Sequence, residues 1–281
     1  MKSLVAVASG TPDDRIALEC AAAIAAKQGG HIEVLPVFPD PAADLIYYGA
    51  TLSRVEAVAR DRLAQAEREA QGSIEVMARE IANAHGLNRQ ERAPSIDVAG
   101  RSLAPAVALA EAALLSDLVV FSGAALRDSV SLSNLFAETL LTTRAPVLVA
   151  KATPLDVSAI ALAWDGSAEA ARAVKAAVPL LHGAARLLVI SNIDDGRGGA
   201  ETIATPRLEQ YLRRRGLAAL EYRSVEGADV AHTLLQAARD SGCGLLVAGG
   251  YGRPRLFELV LGGTTRRFVR AEGVPSLLLA H

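Results

Sequence analysis

SLVAVASG at residues 3–10 and AIALAWDG at residues 159–166 follow one pattern: an apolar run of strand length that closes on a polar residue and a glycine. A short apolar run bounded by a turn signal suits a strand buried on both faces of a parallel sheet. Each run is followed by an alanine-rich stretch with helical spacing. The two stretches therefore read as the first strand and first helix of two similar units.

Working outward from the first copy, TPDD at 11–14 opens a helix. Thr11 suits the cap, Pro12 the first turn and Asp14 the acid of a capping box, with the helix running to about Lys27. Strand HIEVLPVF at 31–38 comes next, then a long helical region from about Leu52 to His85 and strand SIDVAG at 95–100. A helix over 103–115, strand DLVVFSG at 117–123, a short helix near 134–143 and strand APVLVA at 145–150 complete the half. The second half repeats the order with RLLVISN at 186–192, EYRSVEG at 221–227, LLVAGG at 245–250 and VPSLLLA at 274–280.

The repeat is measurable. Gly10 and Gly166 lie 156 positions apart, whereas Gly100 to Gly227 and Gly123 to Gly250 are both 127, and Pro146 to Pro275 is 129. The surplus, 156 − 127 = 29 positions, falls between the first and third strands of the first half, in the segment containing DLIYYGATLSRVEAVARDRL. Internal duplication of strand-helix units predicts an α/β fold: two tandem doubly wound domains, each with a five-stranded mostly parallel sheet flanked by helices. Ligands in such folds sit beyond the carboxyl ends of the strands, where the strand order reverses.

Composition agrees with that class. The chain has 281 residues, long enough for two cores, with 51% hydrophobic and only 4% aromatic residues. A net charge of −2 supplies no field to attract nucleic acid or an anionic membrane. Cys20 and Cys243 lie in apolar helical patterns without metal-ligand spacing and read as small buried hydrophobes. MKSLVAVASG is too short an apolar run for a signal peptide, and no run reaches membrane-spanning length, so a cytoplasmic location is expected. The five histidines are scattered and form no nucleophile-base or metal spacing, which leaves no candidate catalytic residue.

Candidate ligand chemistry gathers at strand ends of the second half. Asp165-Gly166-Ser167 follows its first strand, Ser191-Asn192 its second, and AGGYGRPRLFELVLGGTTR at 248–266 its fourth. The last stretch is neither a GxxxxGK[ST] loop nor a GxGxxG dinucleotide turn. It spaces Gly249, two residues, Gly252, nine residues, Gly262, then Gly263, Thr264 and Thr265. Glycines admit close backbone approach, and the N–H groups and hydroxyls at a helix start attract an anion. The alternative is plain turn chemistry, with Asp165 and Ser167 only capping the following helix.

This spacing, with the strand-Asp-Gly-Ser opening, resembles the universal stress protein family, and the whole chain looks like its tandem two-domain members. The resemblance implies a degenerate domain at 1–152 carrying an inserted helical segment at about 41–90, and a second domain at 155–281 with the nucleotide site. By the same resemblance, Gly249, Gly252 and Gly262 surround the phosphates of ATP, with Mg2+, and Asp165 lies beside the nucleoside, with Ser191 nearby. Gly263 stands where the family has Ser or Thr, so Thr264 or Thr265 supplies the hydroxyl. In the first half the matching positions are Ser9, Ser122, Ala125 and Leu135, which marks it as a structural partner. Its insertion, with Tyr47 and Tyr48, is a lid or interaction surface, or else those rings merely cover core. The fifth strands, APVLVA and VPSLLLA, are expected to pair and make the chain a pseudo-dimer, with a homodimer also open. The implied function is a stress-response regulator that binds an adenine nucleotide and a protein partner, but no nucleic acid or membrane. A nucleotide-independent scaffold and a slow ATP hydrolase are the alternatives.

Overall fold

The computed structural model describes residues 1–38, 56–88, 93–102, 104–192, 200–217, 220–250 and 273–281, of which 56–61 and 200–204 are described as backbone only. They form two compact units, Met1–Thr143 and Arg144–His281.

The first unit runs β1 (Ser3–Ala8), α1 (Asp14–Gln28), β2 (His31–Pro36), α2 (Glu56–His85), β3 (Ser95–Val98), α3 (Pro105–Leu114), β4 (Leu118–Ser122), α4 (Gly123–Asp128) and α5 (Val130–Glu138), closing in a π-helical turn at Thr139–Thr143. Its strands are parallel in the order β3-β2-β1-β4. β1 lies between β2 and β4, with Ala6 opposite Val34 on one side and Val120 on the other. That position explains its unbroken apolar run, because both faces of a central parallel strand are covered. Residues Leu4 to Ala8 are all buried.

Part of the 29-position surplus of the first repeat appears here as helix length, 30 − 14 = 16 positions. α2 has 30 residues where the matching helix of the second unit has 14. Its C-terminal half packs through buried Ile74, Ala78, Ile81 and Ala82. Glu19 of α1 meets His85 Nε2 at 2.6 Å, and Arg15 of α1 pairs with Glu80. Tyr47, Tyr48 and the expected helix start at Leu52 lie outside the described residues.

After β4 the single short helix expected near 134–143 is instead two helices and a π turn. Ser122 accepts from Ala125 N–H at 3.4 Å and caps α4, and Ser129 accepts from Leu132 N–H at 3.2 Å and caps α5. Two serine caps seven positions apart start two helices in succession.

The second unit runs β5 (Val147–Ala150), β6 (Ala159–Ala163), α6 (Ala168–Leu181), β7 (Arg186–Asn192), α7 (Ala200–Arg213), β8 (Leu220–Val225), α8 (Val230–Asp240), β9 (Leu245–Gly249) and β10 (Ser276–Ala280). Its strand order is β5-β10-β9-β6-β7-β8. All pairs in it are parallel except β10 with β5, where Leu277, Leu278 and Leu279 face Val149, Leu148 and Val147. The two fifth strands of the sequence repeat therefore pair with each other, which places β5 in the second compact unit. β6 sits between β9 and β7, and the chain leaves it toward β7 and β8 but later returns on its other side as β9 and β10. The strand order reverses between β6 and β9.

Candidate functional site

The carboxyl ends of β6, β7 and β9 bring Asp165, Ser191 and Gly249 to one end of the second unit's strands. Trp164 N–H still donates to Ile190 O at 2.9 Å, so pairing with β7 continues one residue past β6. Gly166 then turns the chain at φ +73°, a region where a side chain is strained. Asp165 Oδ1 accepts the Ser167 N–H at 2.9 Å, and Ser167 Oγ accepts the Ala170 N–H at 3.1 Å. This is the turn-and-cap chemistry that the residue types allow, and it fixes where both side chains stand.

Ser191 is buried and its hydroxyl donates to Trp164 O at 2.8 Å, tying the ends of β6 and β7 together. Neighbouring Asn192 donates from Nδ2 to Gly227 O at 2.8 Å, linking β7 to the loop after β8. Gly249 is required by packing: a Cβ there would lie 2.5 Å from Ala170 N and 2.7 Å from the Glu169 carbonyl carbon. The end of β9 thus runs directly against the first turn of α6, on the far side of the strand reversal from Asp165. Gly250 N–H donates to Ala280 O at 2.8 Å, and His281 Nδ1 donates to Gly250 O at 3.0 Å.

Gly252, Gly262, Gly263, Thr264 and Thr265 lie outside the described residues, as do Arg253 and Arg255. Trp164 was not singled out from sequence. It is the one tryptophan of the chain, it is buried, and its Nε1 meets no acceptor among the described residues. A bulky aromatic directly before the strand-end aspartate was the available signal. Among the described residues, no three His, Cys, Asp or Glu side chains gather to hold a metal ion.

The matching end of the first unit's strands is filled from within. Asp14 is buried, and its Oδ2 accepts the N–H groups of Ser9, Gly10 and Thr11 at 2.8, 2.7 and 3.0 Å, while Oδ1 accepts Ser9 Oγ at 3.1 Å. Burial pushes this carboxyl up to about 6, against the four hydrogen bonds that lower it. The Thr11 contact is half of the expected capping box, but Thr11 Oγ pairs with Ser9 Oγ rather than with the helix. Gly10 stands at φ +86°, and a Cβ on it would lie 2.4 Å from Ala70 Cβ of α2. Ser122 ends β4 and caps α4, Ala125 lies within α4 and Leu135 within α5, so two of the three positions matching the glycine loop are helical.

The model of the universal stress protein family matches residues 157–279. Comparison with curated proteins finds no match. Among solved structures, a universal stress protein from Archaeoglobus fulgidus DSM 4304 is 16% identical with a TM-score of 0.68, covering 99% of this chain and 95% of that one. A protein from the universal stress protein family from Burkholderia pseudomallei is 32% identical, covering 41% of this chain and 92% of that one, at a TM-score of 0.29. The cytoplasmic domain of a prokaryotic cation chloride cotransporter, 11% identical with a TM-score of 0.53, covers 99% of this chain and 95% of its own. That last likeness is one of fold alone. No helix among the described residues is long and apolar enough to cross a membrane. The chain belongs to the universal stress protein family, whose model matches its second half, and over its whole length it has the fold of a solved universal stress protein.

Proposed function

We propose that the second unit binds ATP at the carboxyl edge of its sheet and that the chain acts as a nucleotide-responsive regulator in a stress response. The observation that carries this reading is the placement of Asp165 and Gly249 on the two sides of the strand reversal between β6 and β9. A crevice opens at that point in doubly wound sheets. Asp165 meets the nucleoside end, with Ser191 holding the strand ends beneath it. Backbone N–H groups of Gly249, Gly252, Gly262 and Gly263 take the phosphates, helped by the hydroxyls of Thr264 and Thr265, while the Gly250 N–H stays on Ala280 O. Mg2+ would accompany the triphosphate as its counter-ion and would offset part of the phosphate charge. Nucleotide occupancy then alters the surface offered to a protein partner. The first unit is a structural partner, since its own carboxylate and helix α2 fill the matching edge.

Calorimetry with ATP tests the assignment. The wild-type chain is expected to bind, Asp165→Ala, Gly252→Val and Gly262→Val to weaken binding about tenfold or more, and Ser9→Ala and Ala125→Val to leave it unchanged. No binding by the wild type, or equal losses from the first-unit changes, would favour a nucleotide-independent scaffold. Release of inorganic phosphate that disappears in the same second-unit variants would mark a hydrolase instead.

A further inference from the structure

β3 and β8 hold the same place in the two repeats, the outer strand of each parallel set, yet among the described residues only β3 has backbone bonded along its outer side. In the first unit, Asn88 lies along the outer side of β3 in a parallel bridge to Ser95, accepting the Ile96 N–H at 3.0 Å and donating its own N–H to Pro94 O at 2.8 Å. Helix α2 packs over the same strand, with Gln71 Nε2 donating to Ala99 O at 3.3 Å. In the second unit, β8 pairs with β7 from Leu220 to Val225, and among the described residues nothing lies along its other edge. Glu221, Tyr222, Arg223 and Ser224 are all exposed, Tyr222 by 49%. An open edge is a row of N–H and C=O groups ready to pair with another strand.

We propose that β8 is a self-pairing edge, through which two copies of the chain join antiparallel about a twofold axis at Tyr222. The sequence of the strand selects this occupant. With Tyr222 on the axis, Glu221 of each copy faces Arg223 of the other, and the two tyrosines face each other. An axis moved to Arg223 or to Glu221 sets like charges opposite, and an axis between residues 222 and 223 leaves Glu221 opposite Ser224. Directly opposed opposite charges stabilise an antiparallel pair and like charges destabilise it, so one register is favoured. A parallel pairing in register would place Glu221 against Glu221. Contacts within the chain already hold the two charged side chains: Glu221 Oε2 lies 3.3 Å from Arg186 Nη1, and Arg223 Nη1 donates to Ser241 Oγ at 2.9 Å and Ala237 O at 3.3 Å. The Glu221 side chain remains 56% exposed beside Arg186, with room for a second cation. A twofold pairing consumes both edges and closes the assembly at two copies.

Sedimentation velocity on the full chain across micromolar to sub-millimolar concentration tests this. The wild type is expected to dimerise, Arg223→Glu to weaken self-association about tenfold by opposing acids across the axis, and the double swap Glu221→Arg with Arg223→Glu to restore it. A wild type that stays monomeric, or a dimer that Arg223→Glu leaves unchanged, overturns the proposal. Should Arg223→Glu disturb the end of α8, cysteine pairing decides independently. Tyr222→Cys should form an intermolecular disulfide under mild oxidation and Ser224→Cys should not, because only position 222 meets itself. Cys20 and Cys243 are buried and do not compete. A Tyr222→Cys chain that stays monomeric, or equal cross-linking from Ser224→Cys, overturns the pairing.

Discussion

Asp14 accepts the Gly10 N–H at 2.7 Å in the first unit, at the turn that in the second unit holds Asp165, Gly166 and Ser167. Counting 156 positions from Asp14 leads to Ala170, so the two repeats place one carboxylate at opposite ends of the same strand-to-helix turn. The first turns it inward and satisfies three consecutive backbone donors. The second holds it at the strand end, where it accepts from Ser167 and stands beside the strand reversal. Duplicated elements thus gave one closed edge and one candidate site.

The closed edge predicts a pH signature. Asp14 is raised from 3.8 to about 6 by burial, so between those values the native chain keeps a proton that the unfolded chain has released. The native state therefore binds more protons in that window, and its stability is greatest below it, falls as pH rises through it and levels off above about 6. A shift of about two units corresponds to at most about 3 kcal/mol. Asp14→Asn, which has no charge to bury, should lack this contribution. The check is the difference between wild-type and variant unfolding free energies by chemical denaturation from acid to neutral pH; parallel curves would show that Asp14 does not titrate in the window.

A second expectation concerns Trp164, whose buried Nε1 has no acceptor among the described residues. Being the single tryptophan, it reports the second unit alone, and its emission should lie at short wavelength in the native chain and move to the red only when that unit unfolds. Trp164→Phe removes the unpaired donor along with part of the ring. Its cost should stay below about 2 kcal/mol, against about 3–5 kcal/mol for Trp164→Ala, in denaturation followed by circular dichroism. Equal losses in the two variants would mean that the indole N–H is satisfied after all.

What the sequence made legible was local and periodic. The strand AIALA is buried throughout, as an apolar run between two parallel neighbours must be, and the Asp-Gly-Ser turn performs the capping that its residue types suggest. The capping-box reading of Asp14 reached Thr11 but missed Ser9 and Gly10, because those contacts depend on the chain folding back at Gly10 with φ +86°. In SGAALRDSVSLSNLF the helix Gly123–Asp128 escaped notice because it has only six residues, too few for a periodic signal. The sealing of β3 by Asn88 is likewise a tertiary event. It follows from where α2 ends, which no strand pattern encodes.

Gly249 offers the last test, because two readings of the same glycine differ in what a methyl group should do. If glycine served only to admit phosphate, Gly249→Ala would weaken ATP binding and leave the apo chain stable. The packing says otherwise: the added Cβ would lie 2.5 Å from Ala170 N and 2.8 Å from Glu169 Cβ, and the helix backbone cannot yield as a flexible side chain would. Either the end of β9 or the first turn of α6 must move, breaking the contact that sets Asp165 and Gly249 on the two sides of the strand reversal. Gly249→Ala should therefore cost about 1–3 kcal/mol of stability without nucleotide, with any loss of ATP affinity accompanying it. Gly252→Ala serves as the comparison, read by the same denaturation and calorimetry. A Gly249→Ala chain as stable as wild type, yet deficient in ATP binding, would assign the glycine to the ligand rather than to the helix.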